Sequence, residues 1–271
     1  MRAKGAAAAV SDIHSVSSVR GTRRTVTKSQ INKLGDSLRA AGPPSEEDLA
    51  RLQEFRATYD DPMATAQRLI QEALGIETTA RLKTTNTIIE KLRRERTRLS
   101  EMQDIAGLRI VRDISLAEQD ELVIGIEGLI PEAKTVDRRK RPSHGYRAVH
   151  VIAKIADRPV EIQIRTDMQD LWAQALERLA DRAGREIRYG GIPEGCEALI
   201  ETLLAAAREV ALIEQQQAEL RELTARLAAP AISAVGPLQL NRLRVRVGAL
   251  RANLGERPVA VRRLLTELLG R

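Results

Sequence analysis

The chain has 271 residues, 43% of them hydrophobic and 30% charged, which supplies a sizeable core and argues against global disorder. Aromatic residues make up only 2%, so the core must be built from Leu, Ile, Val and Ala, and a base-stacking sheet carrying several aromatics is excluded. The net charge of +7 points to an anionic partner such as a nucleotide or nucleic acid, although an arginine-rich composition by itself also makes basic surfaces. The single cysteine, Cys196, excludes an intramolecular disulfide and a cysteine-based zinc cluster. Three histidines (His14, His144 and His150) argue against a multi-histidine metal site. No apolar run reaches the ~18 residues a membrane span needs, and the N-terminal alanine run is too short for a secretory signal core. The expectation is a cytoplasmic protein with no membrane span.

In chain order, residues 1–28 read as a loose basic tail rich in Ser, Arg, Thr and Ala. Residues 29–78 read as N-terminal helices. "GPPSEEDLARLQEFRATYDD" has Pro-Ser-Glu-Glu at a helix start, followed by Leu49, Leu52 and Phe55 at helical spacing, and "PMATAQRLIQEALG" stops at Gly75. Residues 79–190 form a mixed segment. A helix carries Ile88, Ile89 and Leu92 on one face, with Lys83, Thr87 and Lys91 at i, i+4 and i+8 on another. "GLRIVRD" reads as a strand, Ser115 and Glu118 as a capping box for "LAEQDELVIGIEGLI", and Pro131 as its end. A short strand at "EAKTV" leads into the basic loop "DRRKRPSHG".

A hairpin follows over Ser143–Thr166, its strands joined by a polar loop at Asp157-Arg158-Pro159, with Tyr146, Ala148 and His150 on one strand face. Its second strand alternates Glu161, Gln163 and Arg165 with Ile162 and Ile164. Thr166 caps the next helix, "DMQDLWAQALERLADRAG". Residues 194–271 read as a helical C-terminal region: one long amphipathic helix over Glu197–Ala228, a break at "APAISAVGP", and two shorter helices. The order implies an α+β fold, a mixed β-sheet packed by helices with helical extensions at both ends.

Four cations bracket the start of the core: Arg81, Lys83, Lys91 and Arg109. Placed two helical turns apart, Lys83 and Lys91 would have Cα atoms about 12 Å apart, a spacing suited to different phosphates of one triphosphate rather than to one carboxylate. A solvated basic helix face is the alternative. Asp104, before the strand "GLRIV", and Glu161, on the hairpin, are two carboxylates that could together hold Mg²⁺, which prefers a few carboxylates plus phosphate oxygens; each alone would be a salt-bridge partner. Tyr146 offers a flat ring for a base, or a core tyrosine. There is no Walker-type glycine loop and no nucleophilic Ser or Cys arrangement, so phosphate chemistry would rest on cations and a metal.

"RLKTTNTIIEKL", "DIAGLRIV", "GYRAVH" and "EIQIRTDM" occur in an order that resembles the RelA/SpoT-type alarmone synthetase domain, across residues 79–190. The resemblance implies a nucleotidyltransferase-like core and transfer of the β,γ-pyrophosphate of ATP to a ribose 3′-hydroxyl, with Mg²⁺ as cofactor. It implies that Arg81, Lys83, Lys91 and Arg109 bind ATP. Asp104 and Glu161 become the metal and catalytic carboxylates, with Glu161 the base. Tyr146 stacks on the acceptor, and His150, Gln163 and Arg165 line the cleft and bind the acceptor with it. Where members making guanine nucleotides carry Lys-x-Asn-Gly-Tyr, this chain reads Pro142, Ser143, His144, Gly145, Tyr146. "PSHGYRAVH" and "WAQALERLAD" are more similar to the toxic small alarmone synthetases, synthetase-only proteins of which many pyrophosphorylate the 3′ CCA end of tRNA and pair with antitoxins.

The expected acceptor is therefore tRNA, approached by the basic loop Arg138, Arg139, Lys140 and Arg141. The alternative is GDP or GTP, giving guanosine tetra- or pentaphosphate, and a third reading is a silent RNA-binding or helical interaction module that keeps the fold. The C-terminal helices read as a brace for the sheet, or as a surface for homo-oligomerisation or an antitoxin protein.

Overall fold

A computed structural model describes residues 26–230, 232 and 235–270. The basic tail expected over 1–28 lies outside the described residues up to residue 25, as does His14. What is described divides into two compact units: residues 26–110, 123–136 and 150–164 in the first, and residues 111–122, 137–149 and 165 onward in the second.

The first unit opens with three helices, α1 (Lys28–Arg39), α2 (Glu46–Ala57) and α3 (Asp60–Leu74). Thr27 and Gln30 close a reciprocal capping box on α1, satisfying backbone donors that the first turn would otherwise orphan. Ile31, Leu34 and Leu38 then repeat at helical spacing and are buried. Gly35 lies on the same buried stripe, where a Cβ would stand 2.8 Å from the Cβ of Leu99, so the close approach requires glycine. Ser45 caps α2, and Glu46, Glu47 and Asp48 complement the positive end of its dipole. Gly75, at φ 68°, ends α3 in the left-handed conformation that glycine tolerates best.

The sheet is five-stranded, in the order β1-β2-β5-β4-β3. Its strands are β1 (Thr79–Leu82), β2 (Ala106–Arg112), β3 (Lys134–Asp137), β4 (Val149–Ile155) and β5 (Arg158–Thr166), with α4 (Thr85–Arg94) after β1 and α5 (Leu116–Leu129) after β2. Buried and half-buried residues alternate along β2 and β4, as period-two patterning requires of a sheet with one face on a core. Leu108, Ile110, Ile162 and Ile164 are at most 1% exposed. This is the α+β fold expected.

Four local expectations are corrected. β1 was not anticipated: its four residues are mostly exposed, so they carry no alternation, and pairing to β2 rather than burial makes them a strand. The hairpin loop is not Asp157-Arg158-Pro159 but the two residues Ala156 and Asp157, at φ 47° and 61°. A two-residue turn with positive φ at both positions matches the twist of the flanking strands. Arg158 is therefore already on β5, where its guanidinium lies 5.4 Å from the Phe55 ring centroid and 5.5 Å from that of Tyr59, and its Nε donates to Thr58 Oγ1. Finally, β4 starts at Val149, so Tyr146 and Ala148 precede the strand that carries His150.

The second unit has a core of its own. Thr166 and Gln169 form a capping box on α6 (Asp167–Ala183), which is followed by α7 (Glu197–Ala228), α8 (Pro237–Leu254) and α9 (Arg257–Gly270). Cys196 sits half-buried at the start of α7. Trp172, Leu176, Leu203, Val210, Ile213, Val261 and Leu265 make one cluster. Trp172 is 2% exposed and its indole Nε1 donates to the Leu203 carbonyl at 2.7 Å, so its one polar atom is satisfied inside the core. Among the described residues no helix is long and apolar enough to cross a membrane.

Truncating that ring should be costly. Trp172→Ala is expected to lose about 3–5 kcal/mol of stability, read from urea denaturation followed by circular dichroism. A loss below about 1 kcal/mol would mean that the second unit does not depend on this residue.

Candidate active site

In the first unit Lys83, Lys91 and Glu161 lie about Asp104. Lys83 does not lie on a helix with Lys91. It precedes the α4 N-cap Thr84, held by its backbone N–H to the Ile105 carbonyl at 2.8 Å and by its own carbonyl to Arg56 Nε at 2.8 Å. The expected face with the two lysines about two turns apart is thus corrected. Both ammonium groups reach the same atom, Asp104 Oδ2, at 2.9 Å each. Burial acts to raise the Asp104 carboxyl, but the two lysines outweigh it and hold the group below the usual aspartate range. Its other oxygen, Oδ1, is buried with no hydrogen-bond partner. An unpaired buried carboxylate oxygen is costly, so this atom calls for a donor or a cation.

Glu161 is the second acid. His150 Nδ1 lies 3.0 Å from Glu161 Oε1, and Gln163 Nε2 donates to Oε2 at 2.8 Å. Burial again acts to raise the carboxyl, and so does the charge of Asp104; contact with His150 and the bond from Gln163 together outweigh them, and the net displacement is downward. The two acids are close enough to feel each other's charge. The expected grouping of His150 with Glu161 and Gln163 is what the structure shows. Arg81 is on β1 and Arg109 on β2: in the antiparallel register Arg81 pairs with Gly107 and Thr79 with Arg109, so both arginines are on one sheet face, offset by two residues along the strands. Arg81 is exposed and Arg109 half-buried.

The donor set bears on a metal. Two carboxylates with a buried, unpartnered oxygen on one of them fit Mg²⁺, which takes one or two carboxylates and fills the rest of its shell with water and phosphate oxygens. Among the described residues no group of three or more His, Cys, Asp or Glu side chains could hold a metal by itself.

The remaining acceptor candidates lie in the second unit. Ser143 and Tyr146 bridge across a turn whose central residues, His144 and Gly145, have φ of 50° and 88°. A Cβ on Gly145 would be 2.7 Å from Trp172 Cζ2, so this position needs glycine for space as well as for φ. Arg165 does not stand in an open row with Glu161. It is 6% exposed, its Nη1 donates to Asp170 Oδ1 at 2.8 Å, its Nη2 donates to the Tyr146 hydroxyl at 2.9 Å, and its guanidinium carbon is 5.0 Å from the Tyr146 ring centroid. Its charge is matched inside the unit, and it holds the tyrosine. Asp170, which makes this possible, was not anticipated; the signal was an acid one turn into a capped helix, more simply read as a dipole partner.

The basic loop is also less uniform than its sequence. Arg139 is drawn into contacts with Asp137, Asp120 and Gln119, at 2.9, 2.5 and 3.1 Å, whereas Arg138, Lys140 and Arg141 are exposed. Lys140 remains 3.7 Å from Asp137.

The family described as a region found in RelA / SpoT proteins matches residues 80–179. Uncharacterized proteins of Mycobacterium tuberculosis and Mycobacterium bovis are each 34% identical to the chain over 224 residues, covering 77% of it and 79% of their own length. Two crystal structures of small alarmone synthetase 1 from Bacillus subtilis, the first bound to AMPCPP, align at 23% and 25% identity. They cover 64% and 65% of this chain and 99% and 97% of those chains, with TM-scores of 0.44 and 0.41. With relatives matched over most of its length and the family region running from β1 into α6, the chain belongs to the RelA/SpoT family of pyrophosphokinase-type synthetases.

Proposed function

We propose that the chain transfers the β,γ-pyrophosphate of ATP to a ribose 3′-hydroxyl, with the 3′ CCA end of tRNA as acceptor. The observation that supports the transfer is the pair Asp104 and Glu161, two charge-coupled carboxylates, one with a buried oxygen awaiting a cation and a lysine pair on its other side. In this reading Arg81, Lys83, Lys91 and Arg109 bind the triphosphate, and Asp104 and Glu161 would hold a magnesium ion, which when bound supplies charge neutralisation on the phosphate oxygens. Glu161 takes the proton of the 3′-hydroxyl as that oxygen bonds to the β-phosphorus. The bond from the β-phosphorus to the oxygen bridging it to the α-phosphorus breaks, and AMP leaves with the electron pair on that oxygen. His150 and Gln163 fix both Glu161 oxygens, so the carboxylate is oriented before substrate arrives. Most of the protein's contribution is alignment and charge, as for phosphoryl transfer generally.

Tyr146 stacks on the acceptor base, held by Arg165, and the exposed Arg138, Lys140 and Arg141 meet acceptor phosphates. Modification at the 3′ end of tRNA blocks the hydroxyl to which an amino acid is attached, which would inhibit translation. A second reading, synthesis of alarmone nucleotides from GDP or GTP, is favoured by one observation. Arg139 is withdrawn into ion pairs, which leaves a smaller cationic surface than a long RNA would use.

Glu161→Gln is expected to reduce AMP formation from ATP by at least ~10²-fold while costing less than about 2 kcal/mol of folding stability. Turnover within tenfold of wild type would remove Glu161 from the chemistry. For the tyrosine, Tyr146→Phe keeps the ring and its contact with the Arg165 guanidinium and removes the hydroxyl that accepts from Arg165 Nη2. It should leave acceptor KM within about threefold, whereas Tyr146→Ala should raise it about five- to a hundredfold, both with ATP affinity unchanged. Equal losses in the two variants would assign Tyr146 to holding Arg165 instead of the base. Replacing Arg138, Lys140 and Arg141 together by Ala discriminates the acceptors. With labelled ATP, transfer to tRNA should fall and the slope of log affinity against log salt should flatten by roughly two to three, while transfer to GDP or GTP persists. Equal loss for both acceptors would favour the alarmone reading.

A further inference from the structure

Glu214 lies in the middle of α7, 6% exposed, on a helix whose other inward positions are apolar. An apolar residue would make the simpler core here, because exchanging buried ionic groups for hydrophobic ones of similar volume is often neutral or stabilising. The acid is instead fully engaged. Thr166 Oγ1 donates to its Oε1 at 2.6 Å, and Gln169 Nε2 donates to Oε1 at 3.0 Å and Oε2 at 3.2 Å. Arg147 Nη2 stands 3.8 Å from Oε2. Burial acts to raise the carboxyl, and its net displacement is upward despite these donors and the arginine charges.

The bonds continue outward in two branches. Through Arg147, whose Nη1 donates to the Arg139 carbonyl at 2.9 Å, the acid reaches the backbone of the basic loop. Through Gln169, which accepts from Gln119 Nε2 at 3.0 Å, it reaches Gln119 Oε1, the acceptor of Arg139 Nη1 at 3.1 Å. Both glutamines are at most 1% exposed. The two branches close on one residue: one fixes the main chain of Arg139, and the other fixes its side chain. Arg147 also follows Tyr146 directly in the chain, so the same carboxylate restrains both ends of the segment from Asp137 to Arg147. Buried, connected polar networks of this kind hold one arrangement in preference to near alternatives.

We propose that Glu214 is a positioning residue that fixes the 137–147 segment through Arg147 and Arg139. Its bearing on acceptor binding rests on the function proposed above. The segment then owes its geometry to a helix of the C-terminal region, which does more than brace a core.

The test uses the full chain. Trypsin cuts after Arg138, Arg139 and Lys140, and mapped by mass spectrometry these bonds report the segment without any activity assay. Glu214→Gln keeps the shape and removes the charge. It is expected to speed cleavage at these bonds about tenfold relative to sites elsewhere, and to raise acceptor KM about fivefold with ATP KM and kcat within twofold. Arg147→Lys, which cuts one of the two branches, should move both readouts in the same direction, and the double variant should fall short of the sum of the single ones, since they share the Glu214–Arg147 connection. Unchanged cleavage at 138–140 in Glu214→Gln, or a uniform rise across all sites, would overturn the proposal. Selective loop cleavage with unchanged acceptor KM would uphold the tether and remove the loop from acceptor binding, a failure of the functional reading alone.

Discussion

Asp104 is the point on which the placing of the lysines in the first unit depends. One of its oxygens draws two lysines that would otherwise repel each other, and the other is buried without a partner. Two ammonium groups this close are stable only around a compensating charge, so the carboxylate sets where the cations stand before any ligand arrives. The lowered carboxyl follows from the same geometry: the proton is disfavoured because the positive charges are already in place. Lys83 is held there by its backbone contacts to Ile105 and Arg56, so the N-terminal helices contribute directly to the arrangement.

The residues of the proposed function fall in both units. Those assigned to ATP and the metal lie in the first, together with His150 and Gln163 of the acceptor set. The rest of the acceptor set, Tyr146, Arg165 and the loop 138–141, lies in the second. Each group is supported by its own interior: the first by the sheet and α1 to α4, the second by the cluster around Trp172 and by the polar network of Glu214.

What the sequence made legible was whatever depends on neighbours in the chain. Thr166 and Gln169, Ser115 and Glu118, and the full extent of α7 are local patterns, and each stands in the structure where its spacing placed it. The alternation of Glu161 with Ile162 likewise revealed a polar row on an apolar strand. What escaped were decisions taken by distant partners. Lys83 looked helical because i and i+8 spacing carries no information about where a helix starts. Arg165 looked available because Asp170 only matters once α6 folds beside the strand end. Arg139 looked like any residue of a basic loop, although two acids and a buried glutamine claim it. The turn at Ala156-Asp157 was displaced because neither residue is glycine, the usual marker of positive φ.

The clamp of Arg158 between Phe55 and Tyr59 has a consequence for what the protein can read. The chain has one Phe, one Trp and three Tyr. Phe55 and Tyr59 are buried beside that cation and Trp172 lies in the second unit's core; Tyr146 is half-buried with Arg165 5.0 Å from its ring centroid, and Tyr189 is exposed. Proteins that follow a single strand lay successive bases on successive rings. In the proposed reading, a single ring at Tyr146 registers one base at the acceptor's end, and sequence further along passes unread.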